Sequence, residues 1–139
     1  MGRKQAYLLV TFLTPLIAIA QPAFVDDCHQ VKYGTFYFYP SDNPKGFKVI
    51  RKKENQTEID LSTSDTAIWK VNWENDCMFD LRFIRKSRPM SLFESKFYNS
   101  HITVVEVLRV DKNYYLFKGG LDSISNPNAS KDTMWLKSR

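Results

Sequence analysis

The sequence predicts an all-β domain, an antiparallel meander of about eight strands that closes into a small barrel or a flattened sandwich. Three observations carry that expectation. Runs rich in β-branched and aromatic residues recur along almost the whole chain. Most are separated by two or three polar turn residues, enough to join antiparallel neighbours and too few for parallel crossovers. One segment alone carries helix signals, and it is short. A meander of this size removes its exposed edges by closing on itself.

Residues 1–20 read as an export signal. Arg3 and Lys4 form a basic start, 8–13 and 16–20 are apolar, and Ala18-Ile19-Ala20 is a small-x-small cleavage site before Gln21. Cleavage leaves 119 of the 139 residues, a single β domain over 21–139. The two basic residues go with the leader, so 18 Lys plus Arg face 15 Asp plus Glu. That mild surplus excludes a strong nucleic-acid magnet, and the absence of a second long apolar run leaves the mature chain without an integral membrane segment. The expected location is the periplasm or the extracellular space.

Cys28 and Cys77 are the only cysteines. In an oxidising compartment such a pair favours a disulfide, which over a loop of about fifty residues stabilises by roughly 4 kcal/mol. A lipid anchor on Cys28 fails on its flank, because Val25-Asp26-Asp27 puts charge where such a signal needs small or apolar residues.

The strands follow in order. Residues 35–39 are β-branched and aromatic and end at Pro40, with a turn cluster through Gly46. Residues 47–53 and 56–62 flank a Glu54-Asn55 turn, and 66–73 and 77–84 flank Glu74-Asn75-Asp76. Residues 101–110 and 114–118 flank Asp111-Lys112-Asn113, which allows a loop of two or three residues, and 133–137 make a last short strand. Between the fifth and sixth strands, Ser91-Leu92-Phe93-Glu94 is a capping box. It opens a helix with Phe93 and Phe97 four apart on one face. The expectation is a connector with that apolar face packed down over one barrel end; a moving lid is the alternative.

Alternation sets the faces of two hairpins. With Trp73 opposite Cys77, Val71 meets Phe79, Trp69 meets Leu81 and Ala67 meets Phe83. The core face is then Trp69, Val71, Trp73, Phe79, Leu81 and Phe83, while Lys70, Asn72, Asp80 and Arg82 face away. With Glu54-Asn55 as the other turn, Arg51 opposes Glu58 and Val49 opposes Asp60. Gln56 shares the face of Arg51 and Glu58. The Arg51–Glu58 pair is either an exposed cross-strand ion pair or a polar pair inside the barrel.

Cys28, Gly34-Thr35-Phe36, Arg51, Gln56-x-Glu58 and Trp73-x-x-x-Cys77, in that order, resemble a group of small exported proteins and lipoproteins of Bacteroidetes-type bacteria. The similarity runs from about Cys28 to Phe83. It implies a compact secreted β-protein and assigns no activity. Members have carried the label DNA topoisomerase IV. That chemistry needs a tyrosine nucleophile, an acidic metal site, a nucleotide site and a large clamp, for which an exported chain of 119 residues has no room.

No catalytic residue is assigned, and the chain is read as a non-enzyme. His29 and His101 are the only histidines, and Cys28-His29 lacks the second half of a structural zinc pattern, so neither metal nor cofactor is expected. Glu58 and Asp60 share a face two residues apart, an arrangement commoner as solvated charge than as an acid–base pair. Lys45-Gly46-Phe47-Lys48 only faintly echoes an RNA-binding strand, and no nucleic-acid partner is expected. Two readings follow. One is a binding module of lipocalin-like proportions, its interior holding a small apolar or amphipathic ligand oriented by Arg51, Gln56 and Glu58. The other is a structural or interaction protein of the cell envelope, whose interior is filled by its own side chains.

Overall fold

The computed structural model describes residues 27–139. The expected leader over 1–20 and its expected cleavage site lie outside the described residues. A 3-10 turn, Cys28–Val31, leads into β1 (Gly34–Phe38), β2 (Phe47–Arg51), β3 (Asn55–Asp60), β4 (Thr66–Trp73) and β5 (Met78–Lys86). Helix α1 (Leu92–Ser100) follows, then β6 (Thr103–Val110), β7 (Tyr114–Leu121) and β8 (Ser130–Trp135). The eight strands pair in sequence order, all antiparallel, and β8 returns to β1 through Tyr37 opposite Trp135 and Phe38 opposite Met134. The expected barrel, with its helix between the fifth and sixth strands, is therefore the fold.

Local chemistry explains the turns. Gly46 precedes β2 at φ +75°, and a Cβ there would lie 2.4 Å from the Phe38 carbonyl oxygen, so only glycine fits. The β2–β3 turn is Lys53-Glu54, closed by Lys52 N–H donating to Asn55 O at 2.8 Å. This displaces the expected Glu54-Asn55 turn. Arg51 consequently opposes Gln56, Val49 opposes Glu58 and Phe47 opposes Asp60. The β6–β7 loop has two residues, Lys112-Asn113, between Asp111 and Tyr114.

The β4–β5 hairpin is also offset. Trp73 opposes Phe79 rather than Cys77, Val71 opposes Leu81 and Trp69 opposes Phe83. Both offsets are an even number of residues, so each side chain keeps its face and only its partner changes. A bulge at Ile84 then breaks the ladder, and Ala67 lies opposite Lys86 instead of Phe83. The extra residue reverses the alternation, sending Lys86 to the interior side and leaving Ile84 half exposed.

The core gathers Val71, Phe79, Leu81, Phe36, Val105 and Tyr115, with Trp69 and Trp73 packed partly buried against it. Phe83 is also partly buried, its ring edge-on to Trp69 at 5.4 Å. One barrel end is closed by the 3-10 turn, where Val31 is fully buried. The Cys28–Cys77 disulfide, 49 residues apart in sequence, ties that turn to the β4–β5 loop.

Trp69→Ala removes a ring that packs on both Phe83 and Tyr98, and is expected to cost about 3 kcal/mol in urea unfolding. Lys70→Ala, on the exposed face, is expected to cost about 0.5 kcal/mol or less. Equal losses would contradict this facing of β4.

Candidate functional site

Strand pairing brings Arg51 and Gln56 face to face near the plugged end of the barrel, and alternation puts Glu58 on the same side one step further up β3. All three border one interior cavity of about 230 Å³. Its remaining wall is mainly apolar, with Phe47, Phe79, Leu81 and Phe117 among the contributors. Arg51 is 3% exposed and Gln56 2%. The exposed ion-pair reading of this hairpin is thereby corrected: closure of the sheet places the polar trio inside.

The guanidinium is held by three neutral acceptors. Its Nε donates to Gln56 Oε1 at 2.8 Å, Nη1 to the Val31 carbonyl at 2.8 Å and Nη2 to the Tyr115 hydroxyl at 3.1 Å. Its plane also lies against aromatic rings, 4.4 Å from the Phe79 centroid and 5.2 Å from Phe36. No carboxylate among the described residues contacts it. Each terminal nitrogen carries two N–H groups and uses one, so further donor capacity remains.

Glu58 was expected to grip Arg51 directly. Gln56 stands between them instead, accepting from Arg51 and donating through Nε2 to Glu58 Oε1 at 2.8 Å. The physical reason is the two-residue turn, which makes Gln56 the cross-strand neighbour of Arg51. Desolvation pushes the Glu58 carboxyl above its ordinary range; the Gln56 hydrogen bond, the nearby Trp69 indole and the Arg51 and Lys86 charges oppose this without cancelling it. Although half-buried as a residue, Glu58 borders the inner cavity and a second one. The surface it keeps thus faces these hollows. The buried Trp69 Nε1–H points its donor toward this carboxyl from beyond ideal hydrogen-bond geometry.

The second cavity, about 310 Å³, lies toward the α1 end and shares Phe47 and Glu58 with the first. Its rim is charged, with Asp60, Asp65, Lys86 and Arg88 on the walls. Lys86 reaches it because of the β5 bulge. Glu58 and Asp60, on the same strand face, thus occupy different settings. Burial dominates at Glu58, whereas the Ser62 backbone N–H and Asn43 hold Asp60 below the usual carboxylate range.

Sequence reasoning missed three contributors. Val31 acts through its backbone carbonyl, which no residue type announces. Tyr115 needed the β6–β7 register that the loop residues left open. Lys86 needed the bulge. Cys28 is consumed in the disulfide, and His101 pairs with Asp122, its Nδ1 2.5 Å from Oδ2, on the α1–β6 connection.

Arg51→Met leaves Gln56 Oε1, the Val31 carbonyl and the Tyr115 hydroxyl without their donor. A loss of about 2–4 kcal/mol in chemical denaturation is expected. Glu58 gives a pH signature. The folded state holds its proton more tightly than the unfolded chain, so its contribution to stability is greatest below the ordinary value of 4.5 and declines as pH rises through the elevated folded value. Glu58→Gln should flatten that decline. Carboxylates held low, such as Glu94 at about 2, titrate in the opposite window, below their ordinary values, so a difference curve between wild type and variant isolates Glu58. No protein-family model matches the chain, and no curated protein does.

Proposed function

We propose that the barrel is an exported binding protein for one small amphipathic molecule, with its apolar body in the inner cavity and an anionic head group against Arg51. The observation that carries this is a buried guanidinium bordering an apolar cavity, satisfied by neutral acceptors and contacted by no carboxylate among the described residues. Burying a cation costs several kcal/mol, and an anion at its remaining N–H groups offsets that cost in a geometry guanidinium suits. Glu58 supports the same choice. Burial pushes its carboxyl above the ordinary range, so the cavity holds negative charge at that position less readily than water would.

Size narrows the class. About 230 Å³ exceeds the roughly 150 Å³ that holds benzene, and falls short of the about 300 Å³ at which pockets for drug-sized ligands begin. A medium-chain carboxylate is the simplest fit. The leader read in residues 1–20 and the disulfide support action outside the cytoplasm. The resemblance to small exported proteins supports that location and says nothing of the ligand.

Titration calorimetry with octanoate, octan-1-ol and octylamine tests the reading. Octanoate is expected to bind at least tenfold more tightly than either competitor. Gly119→Leu projects a side chain into the cavity from a position where a Cβ meets only Phe117, at 3.7 Å, and should abolish binding in a folded protein. Equal affinity for the three probes, or undiminished octanoate binding by the Gly119→Leu variant, would refute it.

A further inference from the structure

Helix α1 lies on the barrel the wrong way round for a connector. No residue of the helix is buried. The side facing the barrel is polar and aromatic: Glu94 takes both terminal nitrogens of Arg88, at 2.6 and 3.3 Å, and lies 3.6 Å from Lys86 Nζ. Tyr98 stacks on Phe83 at 4.8 Å and meets Trp69 edge-on at 5.6 Å. Positions 92, 93 and 96 form the side opposite Glu94 and Tyr98 on a 3.6-residue helix, and Phe97 lies on the flank, its ring against Tyr98 at 5.7 Å and His101 at 4.9 Å. Leu92 is 84% exposed, Phe93 77% and Phe97 37%. The expectation that Phe93 and Phe97 both pack down is corrected: Phe93 turns outward and Phe97 keeps one side against Tyr98 and His101, because the ion pairs of Glu94 and the stacking of Tyr98 fix the rotation of the helix. Phe93 and Phe97 stack on each other outside, 6.3 Å apart.

The surroundings of this face are basic. Between residues 82 and 100 the chain carries Arg82, Arg85, Lys86, Arg88 and Lys96 against Glu94; Arg82 pairs with Asp80, Lys86 and Arg88 pair with Glu94, and Asp60 and Asp65 share the rim with Lys86 and Arg88. One short stretch therefore holds more than the whole positive surplus of the chain beyond the leader. Lys96 stands exposed on the apolar face itself, and Arg85 is exposed on the adjoining strand. Three protruding side chains offer on the order of 400 Å² of apolar surface, against about 800 Å² per partner in a stable protein–protein interface. A convex apolar tip that carries an exposed lysine, in a stretch of net positive charge, is the composition of an interfacial membrane contact.

We infer that the outer face of α1 docks on an anionic lipid surface. Leu92 and Phe93 enter the headgroup–acyl boundary, and Lys96, on the same side of the helix, lies among the headgroups. The attachment is weak and reversible, as two apolar side chains without a lipid chain require. The inference does not rest on the ligand reading, and either can fail alone.

Sedimentation of the purified protein with vesicles tests it, using phosphatidylcholine with or without 40 mol% phosphatidylglycerol, at low and high salt. Partitioning is expected to be at least fivefold stronger to the anionic vesicles and to fall with salt. The double variant L92S/F93S, altered only at exposed positions, should keep the wild-type melting temperature and lose at least tenfold in partitioning. Equal partitioning to both vesicles, or by wild type and L92S/F93S, would overturn the inference. So would a concentration-dependent dimer that L92S/F93S abolishes without any vesicle binding, which would assign the face to a second copy.

Discussion

The architecture turns on one buried guanidinium. Arg51 on β2 binds the side chain of β3 across the hairpin, the hydroxyl of β7 across the barrel and the backbone of the 3-10 turn that plugs the end. A charge taken out of water requires every available acceptor nearby, so these separate elements are drawn to one point. The disulfide fastens the same plug to the β4–β5 loop from the other side. Floor, wall and plug are thereby set relative to one another, and the cavity above inherits its polar end from that junction.

The other end is organised by a different device. A regular β5 would have sent Arg85 inward after Phe83. The bulge at Ile84 substitutes Lys86 and brings its Nζ to Tyr98, 3.2 Å from the hydroxyl and 4.7 Å from the ring centroid. Lys86 and Arg88 then hold Glu94, whose carboxyl they and the Ser91 backbone keep ionised. One inserted residue thus links the strand ladder to the orientation of α1, and through it to which side of the helix meets solvent. Apolar content alone would have turned the helix over. Electrostatic and aromatic contacts at Glu94 and Tyr98 decided otherwise.

The polar trio shows how far a local pattern reaches. Arg51, Gln56 and Glu58 share a face because side chains alternate, and this holds for either turn assignment. Which of them touch does not follow. Moving the turn from Glu54-Asn55 to Lys53-Glu54 makes Gln56 the direct partner and leaves Glu58 one bond further along the relay. The consequence is chemical: an ion pair becomes a cation on neutral acceptors and a carboxyl driven toward its neutral form.

The sequence by itself determined the number and order of the strands, the place of the helix and its capping box, the pairing of Cys28 with Cys77 and the inward parity of Trp69, Val71, Trp73, Phe79, Leu81 and Phe83. Each of these depends on alternation, turn chemistry or composition read over a few residues, or on there being only two cysteines. Tertiary structure decided whether the Arg51 hairpin faced water or the interior, which acceptors met the guanidinium, where Lys86 pointed and which side of α1 was covered. Those outcomes depend on closure of the sheet, which brings Tyr115 to a residue 64 positions earlier, and on a bulge whose position is a compromise among neighbouring strands. Local periodicity carries no information about either, because both are set by the mutual fit of strands distant in the chain.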